Sequence, residues 1–262
     1  MLKIATWNVN SLNVRLEQTL FFLQNNNIDI LCLQELKISD DKFPIQSLEN
    51  IGYKAIFLGQ KTYNGVAIIF KNDFTPHNIN YNLPNFSDEQ KRFIKADFIT
   101  NNKEYNILCG YFPNGQSLDS EKFIYKMNWL NALVDYINMN HKNYKNIILL
   151  GDYNITLDDI DVYDPIGLLE QIHCSSKERK FFQSLLDLNL IDSQRYVNNN
   201  LEKIYTWWDY RQNAFRRNMG LRIDHIWVSK HLCEDIKSCK VIKEMRKLDR
   251  PSDHAPLILE LA

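Results

Sequence analysis

No two of the five cysteines in this 262-residue chain stand at CxxC spacing, and their number is odd. That excludes a zinc ribbon and a disulfide framework, and it suits a reducing compartment. Uninterrupted apolar runs of membrane-spanning length are missing too. The N-terminus MLKIATWNVN enters a strand-like pattern directly, without the long apolar segment and cleavage site of a signal peptide. A soluble, cytoplasmic protein with no membrane partner is expected. No Pro/Gly/Ser-rich linker interrupts the chain, so 1–262 reads as a single domain, with the Asn-rich pieces QNNNID and VNNNLEK as loop tips. Neither a Ser nucleophile elbow nor a Gly-rich phosphate loop is present. A net charge of -1 argues against a protein that coats a polyanion. Its distribution is uneven: Tyr205 to His254 carries 11 Lys and Arg against 7 Asp and Glu, whereas the preceding 204 residues carry 20 against 24. The C-terminal fifth is the better face for phosphate, though a modest excess is equally a solvated surface.

What remains is ordinary globular material, 45% hydrophobic and 24% charged, long enough to bury a core without staples. Strand-like stretches run over Lys3 to Val9, Asp29 to Gln34, Tyr53 to Leu58, Gly65 to Phe70 and Arg92 to Ile99. Further stretches cover Glu104 to Phe112, Asn146 to Leu150, Arg222 to Ser229, Cys239 to Met245 and Pro256 to Leu261. Helical spacing is clear in Leu16, Leu20 and Leu23, and in Phe123, Met127, Leu130, Val134 and Ile137 of SEKFIYKMNWLNALVDYINMNHK. A third helix is expected over Lys177 to Leu186, capped by Ser176 or Ser175. Helices alternating with strands and hairpin-like pairs predict an α/β protein of sheets covered by helices. In both halves a strand, a long helix and an apolar strand ending in polar residues follow one another, which hints at an internal duplication with two facing sheets.

The ends of the strands are unusual. NIILLGDYNIT runs from a buried-type strand straight into Asp152 and Asn154, which alternation places on one face with Tyr153 turned away. IDILCLQELK ends in Glu35, IATWNVNSL in Asn8 and Asn10, and GYFPNG in Tyr111 and Asn114. GLRIDHIWVS embeds Asp224 among apolar neighbours, where a carboxylate needs a partner, and RPSDHAPL sets Asp253 beside His254. Singly, each has a plain structural explanation: a turn, a solvated strand end, a rim aromatic, or an Asp224–Arg222 pair. Jointly, six strand ends offer amides, carboxylates, a phenol and an imidazole. Carboxylates and amide oxygens without Cys, and without a dense His cluster, favour a hard cation such as magnesium. A second carboxylate can orient a water, and amides and an imidazole can donate to the oxygens of a phosphate under attack. Metal-assisted hydrolysis of a phosphate ester follows.

WNVNSL, LQELK, GVAIIFK, GYFPNG, GDYNI, GLRIDHIWVS and RPSDHAPL, in this order, resemble the exonuclease III family of DNA-repair nucleases, within the exonuclease-endonuclease-phosphatase superfamily related to DNase I. The resemblance spans essentially the whole chain. It implies a four-layer α/β sandwich, two packed mixed β-sheets flanked by helices, with the active site at one edge. Carried over, Glu35 would ligate Mg2+ (Mn2+ substituting) with Asn8 beside it and Asp253 near, partly through water. Asp152 would activate the attacking water, with Asn154 holding water and phosphate. His254 would bond a phosphate oxygen, its tautomer fixed by Asp224, while Tyr111 and Asn114 would contact phosphate or, for Tyr111, assist the leaving oxygen. The implied partner of a monomeric enzyme is duplex DNA with an abasic site or a 3′ end, met in the bacterial cytoplasm at the nucleoid. Trp207, Leu221 and Ile223 would wall a pocket for an extrahelical abasic sugar, and Arg211, Arg216, Arg217, Arg222 and Arg92 would touch backbone phosphates. Two positions depart from the pattern. Asn10 stands where some relatives carry aspartate, which weakens a metal role there. Leu221 stands where eukaryotic-type relatives carry tryptophan, which favours the bacterial branch, with abasic-site incision, 3′-to-5′ exonuclease and 3′-phosphatase activities. Two rivals are a phosphodiesterase of the same superfamily acting on lipid or inositol phosphates, and a non-catalytic DNA-binding module. The first would need membrane-facing loops or another phosphate-recognition loop; the second has no use for Glu35, Asp152 and His254 together.

Overall fold

Residue by residue, the central strands alternate between two apolar destinations, and that alternation builds the layers. The structure, a computed structural model, describes residues 1–140, 143–198 and 202–262. The last two residues of the expected long helix, and the middle of the expected VNNNLEK loop tip, lie outside them. β1 (Leu2–Asn8) pairs in parallel with β2 (Ile30–Gln34) across the helix α1 (Leu12–Asn26). After the short α2 (Ile45–Glu49) come β3 (Tyr53–Leu58) and β4 (Val66–Lys71), both antiparallel additions. β5 (Pro76–Tyr81), β6 (Phe93–Thr100) and β7 (Lys103–Tyr111) form an antiparallel run that opens a second sheet. The long α3 (Glu121–Asn140) then crosses over to β8 (Ile147–Asp152), parallel to β7. α4 (Ser176–Asp187), β9 (Leu190–Asp192), α5 (Ser193–Val197), β10 (Asp224–Ser229), β11 (Ile236–Val241) and β12 (Leu257–Leu261) complete the chain.

The strand orders are β11-β12-β1-β2-β4-β3 and β5-β6-β7-β8-β10-β9. Each sheet has one parallel pair at its centre, β1–β2 or β7–β8, with antiparallel pairs to either side. Ile4, Cys32, Ile68, Ile107, Leu150, Ile226 and Leu259 fill the space between the sheets. Their alternate neighbours face outward: Trp7, Leu31 and Leu33 pack against Phe22 and Leu23 of α1, and Leu149, Tyr153 and Trp227 pack against α3 and α4. The result is the expected four-layer sandwich of helix, sheet, sheet and helix. Among the described residues, no helix is long and apolar enough to cross a membrane.

Ser175 caps α4 through a reciprocal box with Glu178. In α3 the buried face centres on Lys126, Trp129, Leu130, Leu133 and Ile137, so the expected stripe is rotated: Met127 and Val134 are only partly covered. Two strands were not expected. β5 is a polar edge strand, largely exposed and paired only with β6, and β9 has three residues; neither has an apolar run to reveal it. The stretch expected to be a strand from Cys239 to Met245 is shifted, because the chain leaves the sheet after Val241 and Met245 is buried in a 3-10 turn against the α1 layer.

Candidate active site

Strand sense brings the polar ends together. β1 and β2 are parallel, so Asn8 and Glu35 emerge side by side; β7 and β8 are parallel, so Tyr111 and Asp152 do the same. β10 runs antiparallel to β8 in a register that places Asp224 opposite Asp152, and β12 enters from the edge at which β1 leaves, delivering Asp253 and His254. Gly151 permits the closest approach, since a Cβ there would stand 1.8 Å from the carbonyl oxygen of Gly110. Asn10, Glu35 and Asn154 all take left-handed backbone angles, φ 44°, 55° and 52°. For Glu35 that conformation costs about 1 kcal/mol or more.

The carboxylates are joined by amides. Asn8 Nδ2 donates to Glu35 Oε1 at 2.9 Å and to Asp152 Oδ2 at 2.8 Å. Tyr111 donates its hydroxyl to the same Glu35 oxygen at 2.8 Å. Asn154 donates its backbone N–H to Asp152 Oδ1 and its side-chain amide to Asp152 Oδ2, at 2.9 and 3.3 Å, while Tyr153 turns into the outer core. Asp152 lies 3.7 Å from His254 Nε2, whose Nδ1 faces Asp224 Oδ2 at 2.8 Å. Thr206 Oγ accepts from the backbone N–H groups of Ile223 and Asp224 and so holds that acid in place.

The electrostatics follow from this packing. Burial pushes Asp152 up to about 7, against the attraction of His254. Burial alone would lower His254, but Asp224, then Asp152 and Asp253, carry it up to about 10. Glu35 and Asp253 are held below the ordinary carboxylate range despite their burial, Glu35 by Lys37 and Asn8 and Asp253 by His254 and Trp207. Burial, then Glu35 and Asp152, keep the Tyr111 phenol protonated.

The sequence profile of the Endonuclease/Exonuclease/phosphatase family matches residues 5–254. The chain belongs to that family. It is 36% identical to the exodeoxyribonuclease III of Haemophilus influenzae, over 99% of both chains. Among solved structures it resembles an Asp-to-Asn variant of the 3′ phosphatase NExo from Neisseria, bound to a product DNA hairpin, at TM-score 0.94 and 46% identity with complete coverage of both chains. It also resembles an AP endonuclease from Archaeoglobus fulgidus, at TM-score 0.91 and 34% identity, covering 100% and 99% of the two chains.

For a metal ion in this family's site, the chemistry of the donor set decides the fit. The Lys37 ammonium lies 2.7 Å from Glu35 Oε2 and 2.5 Å from Asn10 Oδ1, and Asn10 donates to Asp253 Oδ1 at 2.9 Å. A positive charge is therefore already held among hard oxygen donors there, and the residues fit a hard cation. Asp152, Asp224 and His254 also lie within 4.8 Å of one another. That trio suits a relay better than a metal, because the imidazole stands between the carboxylates with one nitrogen toward each. Asn8 lies beside Glu35 as expected and presents its nitrogen to it, while its Oδ1 accepts from the Asn10 N–H. In this orientation it links the Glu35 and Asp152 carboxylates.

The flanks hold two cavities. One of about 470 Å³ is lined by Trp207, Leu221, Tyr163, Leu168, His173 and Arg211 among others. Trp207 and Leu221 exchange backbone hydrogen bonds, and Trp207 Nε1 donates to Asp253 at 3.0 Å. Ile223 is buried behind this wall and does not line the cavity. The other, of about 610 Å³, includes Arg92, Tyr111 and Asn114. Arg92 is nearly buried, stacked 4.8 Å over the Tyr111 ring and bonded to Gln90 and to the Tyr111 carbonyl, so its first task is to hold Tyr111. Arg222 cannot touch DNA phosphate from its position: it is fully buried between Asp161 and Asp192, which raise its pKa. Its place in GLRID beside a functional acid concealed this. Arg211 is exposed and paired with Asp209; Arg216 and Arg217 are exposed.

The sequence reading also missed residues. Lys37 was legible in LQELK as a charge two residues after the acid. His173 was not, as its loop has no periodicity; its Nδ1 meets the Asn154 carbonyl at 2.6 Å and its Nε2 meets Asn114 at 3.4 Å. Burial and the neighbouring Lys126 lower it to about 4. Ser252 accepts from the His254 N–H and donates to the Asn8 carbonyl, stitching the two segments together.

Proposed function

We propose that this chain is a Mg2+-dependent DNA-repair nuclease of the exonuclease III type, with Mn2+ as a substitute ion. It acts as a monomer in the bacterial cytoplasm, on duplex DNA with 3′ ends or abasic sites. The observation that carries the reading is the buried Asp152–His254–Asp224 line beside Glu35. Asp152 supplies a carboxylate whose pKa of about 7 suits general-base removal of a proton from water near neutral pH. Asn154 and Asn8 orient it. His254, kept protonated by Asp224, donates from Nε2 to a phosphate oxygen; Tyr111 and Asn114 would contact the phosphate, with Tyr111 turning its hydroxyl from Glu35 as the ion binds there. Glu35, with Asp253 nearby, would hold the ion, which when bound neutralises charge on the phosphate and on the departing oxygen. Trp207 and Leu221 would wall the space for the sugar at the scissile bond, and Arg211, Arg216 and, from its place beside Tyr111, Arg92 would contact backbone phosphates. Ile223 supports this wall from behind. Hydrolysis at 3′ ends is the leading activity and abasic-site incision the second, in keeping with the higher identity to the 3′ phosphatase than to the AP endonuclease.

Three labelled duplexes test this, carrying a 3′-phosphate, a recessed 3′ end and an abasic site, each with magnesium and with EDTA. Magnesium-dependent removal of the 3′-phosphate, with incision 5′ to the abasic site, is expected. Turnover of lipid or inositol phosphates with all three duplexes intact would overturn the choice of substrate.

A further inference from the structure

A lysine stands on the buried face of an otherwise apolar helix stripe, directly beneath the site. Lys126 of α3 and Glu178 of α4 are both fully buried, with Nζ and Oε1 2.5 Å apart. The other two ammonium protons go to backbone carbonyls, Asn154 O at 2.8 Å and Asn114 O at 3.2 Å. Glu178 in turn accepts from the N–H groups of His173 and Ser175 and from the Ser175 hydroxyl. Donors and acceptors therefore balance, as a buried ion pair requires. The two carbonyls chosen belong to the two asparagines that face the phosphate site, and those side chains touch each other, Asn114 Nδ2 to Asn154 Oδ1 at 3.2 Å. Asn154 O also accepts from His173 Nδ1, which fixes the proton on that nitrogen and leaves Nε2 to accept from Asn114.

We propose that Lys126 is a positioning residue, whose ammonium clamps the Asn114 loop and the Asn154 turn at the spacing that hydrolysis needs, with Glu178 as its counter-charge. The kinetic consequence rests on the nuclease reading above; the geometric one does not. A second ion pair provides the control: Lys95 and Asp97 are almost as deeply buried, also 2.5 Å apart, and none of their partners is a site residue.

The test compares wild type, Lys126→Met, Lys126→Met/Glu178→Gln and Lys95→Met, reading thermal stability, kcat and KM on the 3′-phosphate duplex, and the crystal structure of the double variant. Lys126→Met strands a buried carboxylate and loses stability; adding Glu178→Gln removes that charge and restores part of it. In the double variant kcat stays about 10- to 100-fold low, the scale of an ångström-level misplacement, while KM changes by less than about threefold. Lys95→Met loses stability but keeps its kcat. In the crystal the Asn114–Asn154 contact opens beyond hydrogen-bonding distance. The proposal is overturned if kcat recovers together with stability in the double variant, or if that contact stays closed. Should wild type hydrolyse no duplex, the nuclease reading fails and the crystal structure alone decides.

Discussion

Replacing Asp224 by Asn removes the charge that fixes His254 while leaving its shape. The rise of His254 from the ordinary 6.5 to about 10 corresponds to about 5 kcal/mol, and Asp224, at 2.8 Å, is the largest favourable contributor. A hydrogen bond of this kind, between two charged groups, contributes about 2–3 kcal/mol. Because the folded-state pKa is raised, the stability this ion pair contributes is complete below pH 6.5 and disappears as pH rises through about 10. Asp224→Asn therefore destabilises by about 2–3 kcal/mol near pH 6, with a loss that shrinks toward zero by pH 10. In single-turnover hydrolysis of the 3′-phosphate duplex, wild type needs Asp152 ionised and His254 protonated, so its rate rises through about pH 7 and falls near pH 10. In the variant the alkaline limb moves down toward that of an ordinary histidine, the plateau narrows, and the maximum falls about 10- to 100-fold as the ring loses its orientation. An alkaline limb still near pH 10, or equal stability losses at pH 6 and pH 10, would refute the relay.

Asp152→Asn abolishes turnover while DNA binding persists. Because ionising this buried acid costs stability progressively from about pH 4 to about pH 7, the variant is no less stable than wild type above pH 7, as differential scanning calorimetry would show. Arg222→Met leaves Asp161 with Arg195 alone and Asp192 beside His225 without its guanidinium, and costs about 3–5 kcal/mol in urea titration, yet leaves the salt dependence of DNA binding unchanged. A change in that slope would restore Arg222 as a phosphate contact. Arg216→Ala/Arg217→Ala raises KM, leaves kcat near wild type and lowers the slope of log affinity against log salt by about 1 for each lost phosphate contact. Unchanged affinity at low salt would leave both arginines as solubilising surface.

The sequence by itself determined the layers and the inventory of the site. Alternating apolar residues such as Ile4 against Ala5, or Leu149 against Leu150, oblige each sheet to bury both faces, and apolar runs ending in Asn8, Glu35 or Asp152 oblige those groups to lie at strand ends. Short-range pattern is enough for both, because side-chain direction alternates with a fixed period. Which ends meet was decided only by strand sense and register, such as Asp224 opposite Asp152, over separations of 72 residues. The same long-range pairing turned Arg222 inward to Asp161 and Asp192, and placed Lys126 beneath the two asparagines. A charged residue reads the same in sequence whether it faces water or a buried counter-charge. Desolvation and the partner's position separate the two, and both belong to the folded chain alone.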